Sequence, residues 1–445
     1  MKSNTYLLNM SISGIKNIQE DVCLHFYKKT IDKNFNPEKY RIKAIYGENG
    51  SGKSAVVTAV KIFQDLILQD NYLSESKTQN FLDEIINKKT RCFRFSCEFL
   101  LCTDKQKVVY QYAMQIEKGK NNLYEIKHEI LQTKPGQYTN NQYSTIFEAE
   151  NGELVYIHCS PQTRETVEKK MINLLSKQSF IYLYIMNLDS IAAPEGDPNN
   201  VNLPIQLITF IICLSQITVY LGEEDQHELY FLQKKLKESD SGQQALIEEL
   251  LGQGDSQNLF SNINEKFINK QYFEKYKEKV NRLTQFIRLF KSDLVSIDID
   301  AKENGDYYVC ELNLNYGDYI INKEFESTGI KKLIRLFDCF VSVSNGGIVF
   351  VDEMDSNLND VYLCKLIEYF MYYGKGQLCF TTHNLDPMSI LKKNRNSIDF
   401  LSSDNHLVSW TARGNATPEN CYKNGMIEDS PFNIEASDFV GILGE

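Results

Sequence analysis

The sequence has no C-x-x-C pair, no surplus of positive charge, no apolar run of clean membrane length, and no internal repeat or low-complexity stretch. Each absence removes a class of protein. The 11 cysteines are scattered singly, and an odd, unpatterned set excludes a disulfide framework or a zinc ribbon. It reads as reduced thiols in a cytoplasmic protein. The formal net charge of −11 argues against a protein that coats DNA by electrostatics alone. Local basic clusters exist at Lys88-Lys89-Arg91, Lys234-Lys235-Lys237 and Lys392-Lys393-Arg395, and each reads as a solvated face. The longest apolar run, Ile205 to Leu221, contains Gln206, Ser215 and Gln216 and follows Pro204. That composition suits a buried helix better than a membrane span, so no membrane partner is expected. Met1 to Thr5 leads into strand-like sequence without signal-peptide architecture. With 42% hydrophobic and 24% charged residues, the composition is globular and requires no disorder.

What is present is specific. Gly47-Glu48-Asn49-Gly50-Ser51-Gly52-Lys53-Ser54 matches G-x-x-x-x-G-K-[ST], the phosphate-binding loop. Ile42 to Tyr46 ahead of it reads as a strand. Val56, Val60, Phe63 and Ile67 behind it mark one face of a helix. The chemistry needs these residue types. Glycines at 47, 50 and 52 let the backbone curl so that the N–H groups of the loop, including those of Asn49 and Ser51, point at phosphate oxygens. The helix N-terminus adds positive dipole character. Lys53 is expected to reach the β- and γ-phosphates, and the Ser54 hydroxyl to coordinate Mg²⁺.

Along the chain, Leu8, Met10 and Ile12 alternate, as do Val22, Leu24 and Phe26 after a turn near Asn17, which predicts two strands. Residues 93–130 read as a β-meander with a turn at Lys118-Gly119-Lys120-Asn121-Asn122. Residues 150–200 are mixed, with a loop at Ala192 to Pro198. From Leu203 to about Ser292 the pattern turns helical, and Tyr276, Val280, Leu283, Ile287 and Phe290 form a short seam of about two heptads. Strand-like sequence resumes at Leu294 to Asp300 and Tyr307 to Asn313. A last hairpin, Ile398 to Leu401 against Leu407 to Trp410, turns at Asp404-Asn405.

The second half of a nucleotide site follows far from the first. Ile348 to Val351 runs into Asp352-Glu353, which suits a buried parallel strand delivering two carboxylates at its C-terminal end. Asp352 is expected to hold the Mg²⁺ shell, and Glu353 to orient or deprotonate the attacking water. Gln377 to Thr381 reads as a neighbouring strand, with His383 just past its end, placed to sense the γ-phosphate. Glu326-Ser327-Thr328-Gly329 precedes a helix carrying Leu333, Leu336 and Phe337. It offers a hydroxyl and backbone N–H groups as a second anion site.

The order of P-loop, E-S-x-G, Asp-Glu strand, Met354-Asp355-Ser356-Asn357-Leu358 and T-T-H resembles ABC-type ATPases of the SMC/RecF branch. Within that branch it looks like the compact overcoming-lysogenization-defect and abortive-infection ATPases of bacterial phage defence. The likeness covers about 1–200 and 290–445. It implies an α/β P-loop ATPase head with a β-rich N-terminal lobe and a helical insertion. Its parts would be residues 1–202 (P-loop and β-meander), 203–292 (helical insertion) and 293–445 (signature, Asp-Glu strand and His switch). It further implies ATP as the nucleotide and Glu353, His383 and Lys53 as catalytic groups. It also implies a homodimer or higher oligomer through ATP-sandwiched heads. There Ser327 and Gly329 would touch the nucleotide of the other protomer, and Asp355 would lie at the seam. The transporter-type L-S-G-G-Q sequence is absent, the insertion is too short for an SMC arm, and Gln79 is only a candidate glutamine-loop residue. After His383 there is little room for a Toprim nuclease, so any toxin or nuclease effector is expected to be a separate chain. Two other functions share this site: an ATP-locked scaffold that sequesters an effector with little turnover, and a RecF-like repair ATPase with DNA as a possible partner.

Overall fold

The computed structural model describes residues 4–27, 31, 35–103, 106–136, 142–191, 198–222, 263, 267–394, 396–411, 416–428 and 430. The basic cluster at 234–237, Arg395 and most of the loop expected at 192–198 lie outside these residues. The strands, in chain order, are β1 (Asn4–Ser13), β2 (Val22–His25), β3 (Ile42–Tyr46), β4 (Cys92–Cys102), β5 (Lys107–Lys118), β6 (Tyr124–Pro135), β7 (Ser144–Glu150), β8 (Glu153–Ile157) and β9 (Ile217–Tyr220). They continue with β10 (Phe267–Asn269), β11 (Ser296–Asn304), β12 (Tyr307–Asn315), β13 (Ile320–Asn322), β14 (Ile348–Val351), β15 (Gln377–Thr381), β16 (Ile398–Leu401) and β17 (Leu407–Ser409). The helices that frame the site are α1 (Lys53–Leu68), α2 (Ser76–Ile85), α3 (Phe180–Met186), α4 (Pro198–Ser215), α5 (Phe273–Arg288), α6 (Thr328–Asn345) and α7 (Asp360–Tyr373).

The central sheet runs β17-β16-β3-β15-β14-β9, and all neighbours are parallel except β17. Its inner strands β3 and β14 are buried at every residue; β14 is a continuous apolar run, and β3 is interrupted only by Lys43. Side-chain alternation divides the core. Ile45, Phe350, Cys379 and Leu401 point into a cluster with α1 and the antiparallel sheet. Ala44, Val349, Val351 and Phe380 point the other way, into a cluster with α5, α6 and α7. The fold is therefore mixed α/β, with the central sheet as its middle layer.

The seven-stranded antiparallel sheet, β2-β1-β4-β5-β6-β7-β8, covers α1. In β4 and β5, Phe95 and Tyr112 face inward. Phe63 of α1 stacks on Phe95 with centroids 4.4 Å apart and lies 5.3 Å from Tyr112. Gln377, the first residue of β15, joins the two sheets directly. Its side chain accepts from the Leu7 N–H at 2.6 Å and donates to the Leu7 carbonyl at 2.9 Å. This occurs where β1 shifts register between Leu7 and Asn9, so one amide side chain satisfies a backbone pair that the ladder leaves open. A third, smaller sheet has the order β10-β12-β11, with β13 also on β12.

The run Ile205 to Leu221 divides. Leu207, Phe210, Cys213 and Leu214 of α4 are buried against the antiparallel sheet, and the helix ends at Ser215. Ile217 to Tyr220 is not helical but forms the edge strand β9 beside β14. Ile217, Thr218 and Val219 are β-branched and favour a strand once an edge is available. Of the segment expected as a helical insertion, residues 223–262 lie outside the described ones; the rest includes β9 in the central sheet, β10 in the third sheet and α5, which carries the buried seam Tyr276, Val280, Leu283 and Ile287. No helix among the described residues is long and apolar enough to cross a membrane.

One buried ion pair ties β3 to β16. The Lys43 ammonium donates to Asp399 Oδ2 at 2.6 Å and to the Asn396 carbonyl at 2.7 Å, and both side chains are fully buried. Asp399 Oδ1 has no hydrogen-bond partner among the described residues. Removing one partner strands a charge in the core, whereas replacing both with apolar groups does not. Asp399→Ala is expected to lower unfolding free energy in urea by about 3–5 kcal/mol. The double substitution Lys43→Met with Asp399→Leu should recover most of that loss. A double variant no more stable than the single one would contradict this account.

Candidate functional site

Because β3, β15 and β14 are parallel and adjacent, their C-terminal ends open on one edge. Tyr46 leads into the P-loop there, Val351 into Asp352-Glu353, and Thr381 into Thr382-His383. The edge beyond the carboxyl ends of parallel strands is where α/β proteins hold ligands.

The loop is braced from two sides. The Asn17 amide, on the turn between β1 and β2, donates to the Gly50 carbonyl at 2.6 Å. That turn is itself held by the Gln19 N–H donating to Asn405 Oδ1 at 2.8 Å, in the β16–β17 hairpin. Gly52 caps α1 with φ 103°, and a β-carbon there would lie 2.9 Å from Asn17 Oδ1 and from Ile18 Cγ1. Asn49 and Gly50 are exposed at the loop tip, while Ser51 is buried and its hydroxyl has no hydrogen-bond partner among the described residues. The buried Lys53 ammonium donates to the carbonyls of Gly47 at 2.9 Å and Glu48 at 2.7 Å. Burial pulls its pKa down, against the opposing fields of Asp352, Glu353, Asp355 and Glu48. Ser54 follows on the first turn of α1, partly buried.

On the acidic side, a single hydroxyl organises two residues. Thr381 Oγ1 donates to Asp352 Oδ1 at 2.5 Å and accepts the Glu353 N–H at 2.7 Å. Glu353 has φ 46°, the left-handed region, which costs a non-glycine residue roughly 1–3 kcal/mol and persists only where neighbours enforce it. Its carbonyl accepts from the Lys332 ammonium of α6 at 2.8 Å, and the same ammonium donates to Ser356 Oγ at 2.5 Å. Asp355 Oδ2 accepts the backbone N–H groups of His383 at 3.2 Å and Asn384 at 3.1 Å. Asp355 Oδ1 is buried and finds no hydrogen-bond partner among the described residues.

The E-S-x-G element sits at the start of α6. Ser327 is its exposed N-cap residue and makes no side-chain capping bond. Glu326 folds back, accepting the Ser327 N–H at 2.7 Å and the Tyr316 hydroxyl at 2.6 Å. Gly329 packs against the 354–358 loop so closely that a β-carbon would lie 2.8 Å from the Asn357 carbonyl.

The structure thus gathers the P-loop, Asp352, Glu353, Asp355 and His383 on one edge, and connects Ser327 and Gly329 to them through α6. Gln79 is elsewhere. Its amide donates to the carbonyls of Leu73 and Tyr124 and accepts the Tyr124 N–H, a structural brace between α2 and β6. The sequence reading gave no role of their own to three residues at the site: Asn17, taken only as a turn, Thr381, taken only as part of T-T-H, and Lys332. Lys332 left a signal, because it lines up with Leu336, Cys339 and Val343 on the buried stripe of α6.

No family model and no curated protein matches the chain. Among solved structures, it is similar to an SMC head bound to the C-terminal winged-helix domain of ScpA: 14% identity, TM-score 0.44, covering 91% of this chain and 98% of that one. It is also similar to the SMC head domain from Thermotoga maritima: 12% identity, TM-score 0.33, covering 92% of this chain and all of that one. Similarity at this level assigns neither family nor activity.

Partial desolvation holds the His383 imidazole below its ordinary pKa, and the Lys53 ammonium adds to the effect, against Asp355, Glu353 and Asp352. His383 should therefore titrate in an NMR experiment with a midpoint below the ordinary value of about 6.5. Lys53→Met removes a repelling cation and should raise that midpoint. A midpoint at or above the ordinary value, or one unmoved by Lys53→Met, would contradict the arrangement.

Proposed function

We propose that the chain is a Mg²⁺-dependent ATPase of ABC type whose heads dimerise around ATP. In this reading it is the sensor or regulatory ATPase of a bacterial anti-phage defence system, acting with a separate toxin or nuclease. The observation that carries the ATPase reading is the convergence on one sheet edge of a helix-capping P-loop, two adjacent carboxylates and a histidine. The defence role rests on the motif order alone.

The geometry supports the roles proposed for Lys53, Glu353 and His383, while those of Ser327, Gly329 and Asp355 come from the motif resemblance. Backbone N–H groups of the loop and the start of α1 receive the β- and γ-phosphates. Lys53 exchanges its two carbonyl partners for phosphate oxygens, a trade that favours binding because a charge-assisted bond to an anion is stronger. Glu353 accepts the proton of the attacking water, which bonds to the γ-phosphorus as the bond to the β–γ bridging oxygen breaks, releasing ADP and phosphate. His383, kept neutral, donates a hydrogen bond to a γ-phosphate oxygen. The Ser54 hydroxyl and Asp352 carboxylate are hard oxygen donors and fit Mg²⁺, and the unpartnered Asp355 Oδ1 shows that this edge has unused acceptor capacity. When bound, Mg²⁺ neutralises charge on the β- and γ-oxygens. Ser327 and Gly329 meet the nucleotide of the facing protomer, with Asp355 near the seam.

Lys53→Ala should weaken ATP binding by about 100-fold or more, through loss of two charge-assisted contacts. Unchanged affinity in a titration with fluorescent ATP would sink the assignment. Glu353→Gln should slow turnover by about 10²–10⁴-fold while ATP still drives a rise in solution mass. Mass that changes only with duplex DNA would favour a repair ATPase, and a large assembly without nucleotide would favour a scaffold. Ser327→Arg should block ATP-driven dimerisation and leave binding to the monomer intact.

A further inference from the structure

Glu353 reaches its position in a backbone conformation that its own side chain disfavours, so something outside it must hold it there. Two contacts do so, from different elements. Thr381 Oγ1, at the end of β15, accepts the Glu353 N–H at 2.7 Å. The Lys332 ammonium, from α6, donates to the Glu353 carbonyl at 2.8 Å. The peptide groups on both sides of the left-handed residue are therefore pinned by side chains. The same ammonium donates to Ser356 Oγ at 2.5 Å and lies 5.3 Å from the centre of the Tyr220 ring at the end of β9.

Lys332 is an expensive residue to place here. It is buried on the apolar stripe of α6, where desolvation disfavours its charge, and Glu353, Asp355 and Asp352 offset part of that cost. Packing alone would be served by Leu or Met. Only one turn of α6 separates it from Ser327 and Gly329, and Gly329 touches the same 354–358 loop through the Asn357 carbonyl.

We infer that Lys332 is a positioning residue: it holds Glu353 and the 354–358 loop in register with the start of α6, so that contact made at Ser327 and Gly329 reaches the Glu353 carboxylate. The inference rests on the ATPase reading above. The first turn of α6 is the transmitting element, and the Glu353 peptide is what Lys332 holds. The partner that makes contact at Ser327 and Gly329 is the phosphate of a nucleotide carried by a second copy of this chain.

The test compares wild type, Lys332→Met, Lys332→Arg and Glu353→Gln. Methionine fills similar volume without donors; arginine keeps charge and donors. Lys332→Met should bind fluorescent ATP within about threefold of wild type but turn over about 100-fold slower, the scale of a catalytic group displaced by about 1 Å. It should also accumulate an ATP-bound dimer, as Glu353→Gln does. Lys332→Arg should restore turnover to within about tenfold of wild type. Backbone hydrogen exchange of the 352–358 segment, without nucleotide, should quicken in Lys332→Met and not in Glu353→Gln, which reads the clamp independently of turnover. Turnover of Lys332→Met within about threefold of wild type overturns the inference. So does a loss of turnover that only follows lost ATP affinity and lowered Tm, or unchanged exchange at 352–358. Absence of hydrolysis in wild type with normal exchange behaviour would instead overturn the ATPase reading.

Discussion

Parallel register across β3, β15 and β14 is the constraint on which the rest depends. Pairing Ile45 with Thr381 and Phe380 with Val351 staggers the last residues of three strands, Tyr46, Thr381 and Val351, by a single residue from one strand to the next. Everything chemical then follows by continuation of the chain: a glycine loop from one strand, two carboxylates from the next, a histidine from the third. A register slip in any pair would carry its terminal side chains to the wrong face, because side-chain direction alternates with every residue. The burial of these strands on both faces, and the Lys43–Asp399 pair between β3 and β16, make such slips costly.

Much of this was legible in the sequence because it is written locally. The P-loop is a contiguous string, and its strand and helix announce themselves by period. The apolar run before Asp352 and the one before His383 read as buried strands, and both are. The β-meander and the last hairpin also stand where alternation and turn residues put them. β9 was not legible, since Ile217 to Tyr220 continues the apolar run of α4 without a break. Only the open edge of β14 decides its conformation. The bracing roles of Asn17 and Thr381 were not legible for a related reason. Asn17 works through one hydrogen bond and Thr381 through two, all to residues distant in sequence, and neither residue type is unusual where it stands. Gln79, only a candidate from the sequence, has both polar atoms of its side chain engaged by backbone groups.

Besides Lys53 in the P-loop, two buried lysines divide the labour. Lys43 meets a carboxylate deep between strands and fixes how they pair. Lys332 meets no carboxylate directly; a backbone carbonyl and a hydroxyl take its hydrogens, and the nearby acids act only through their field. A lysine satisfied by neutral acceptors is held less tightly than one locked to an anion, and so can register small displacements of its helix. The difference separates an architectural cation from one that can take part in a change of state.

The bracing of the P-loop has a consequence for synthesis. Its support comes from Asn17 and from Asn405, near opposite ends of the described chain, and β3 has no partner strand until β15 and β16 exist. On the ribosome, the antiparallel sheet through β8 can form while the remainder is still being made, since its pairings are mostly between successive strands. The phosphate-binding loop will by then have emerged, but its strand will have both edges open. The braced form of the loop can therefore arise only after β15, β16 and the turn at Asn405 have been made, long after the loop itself.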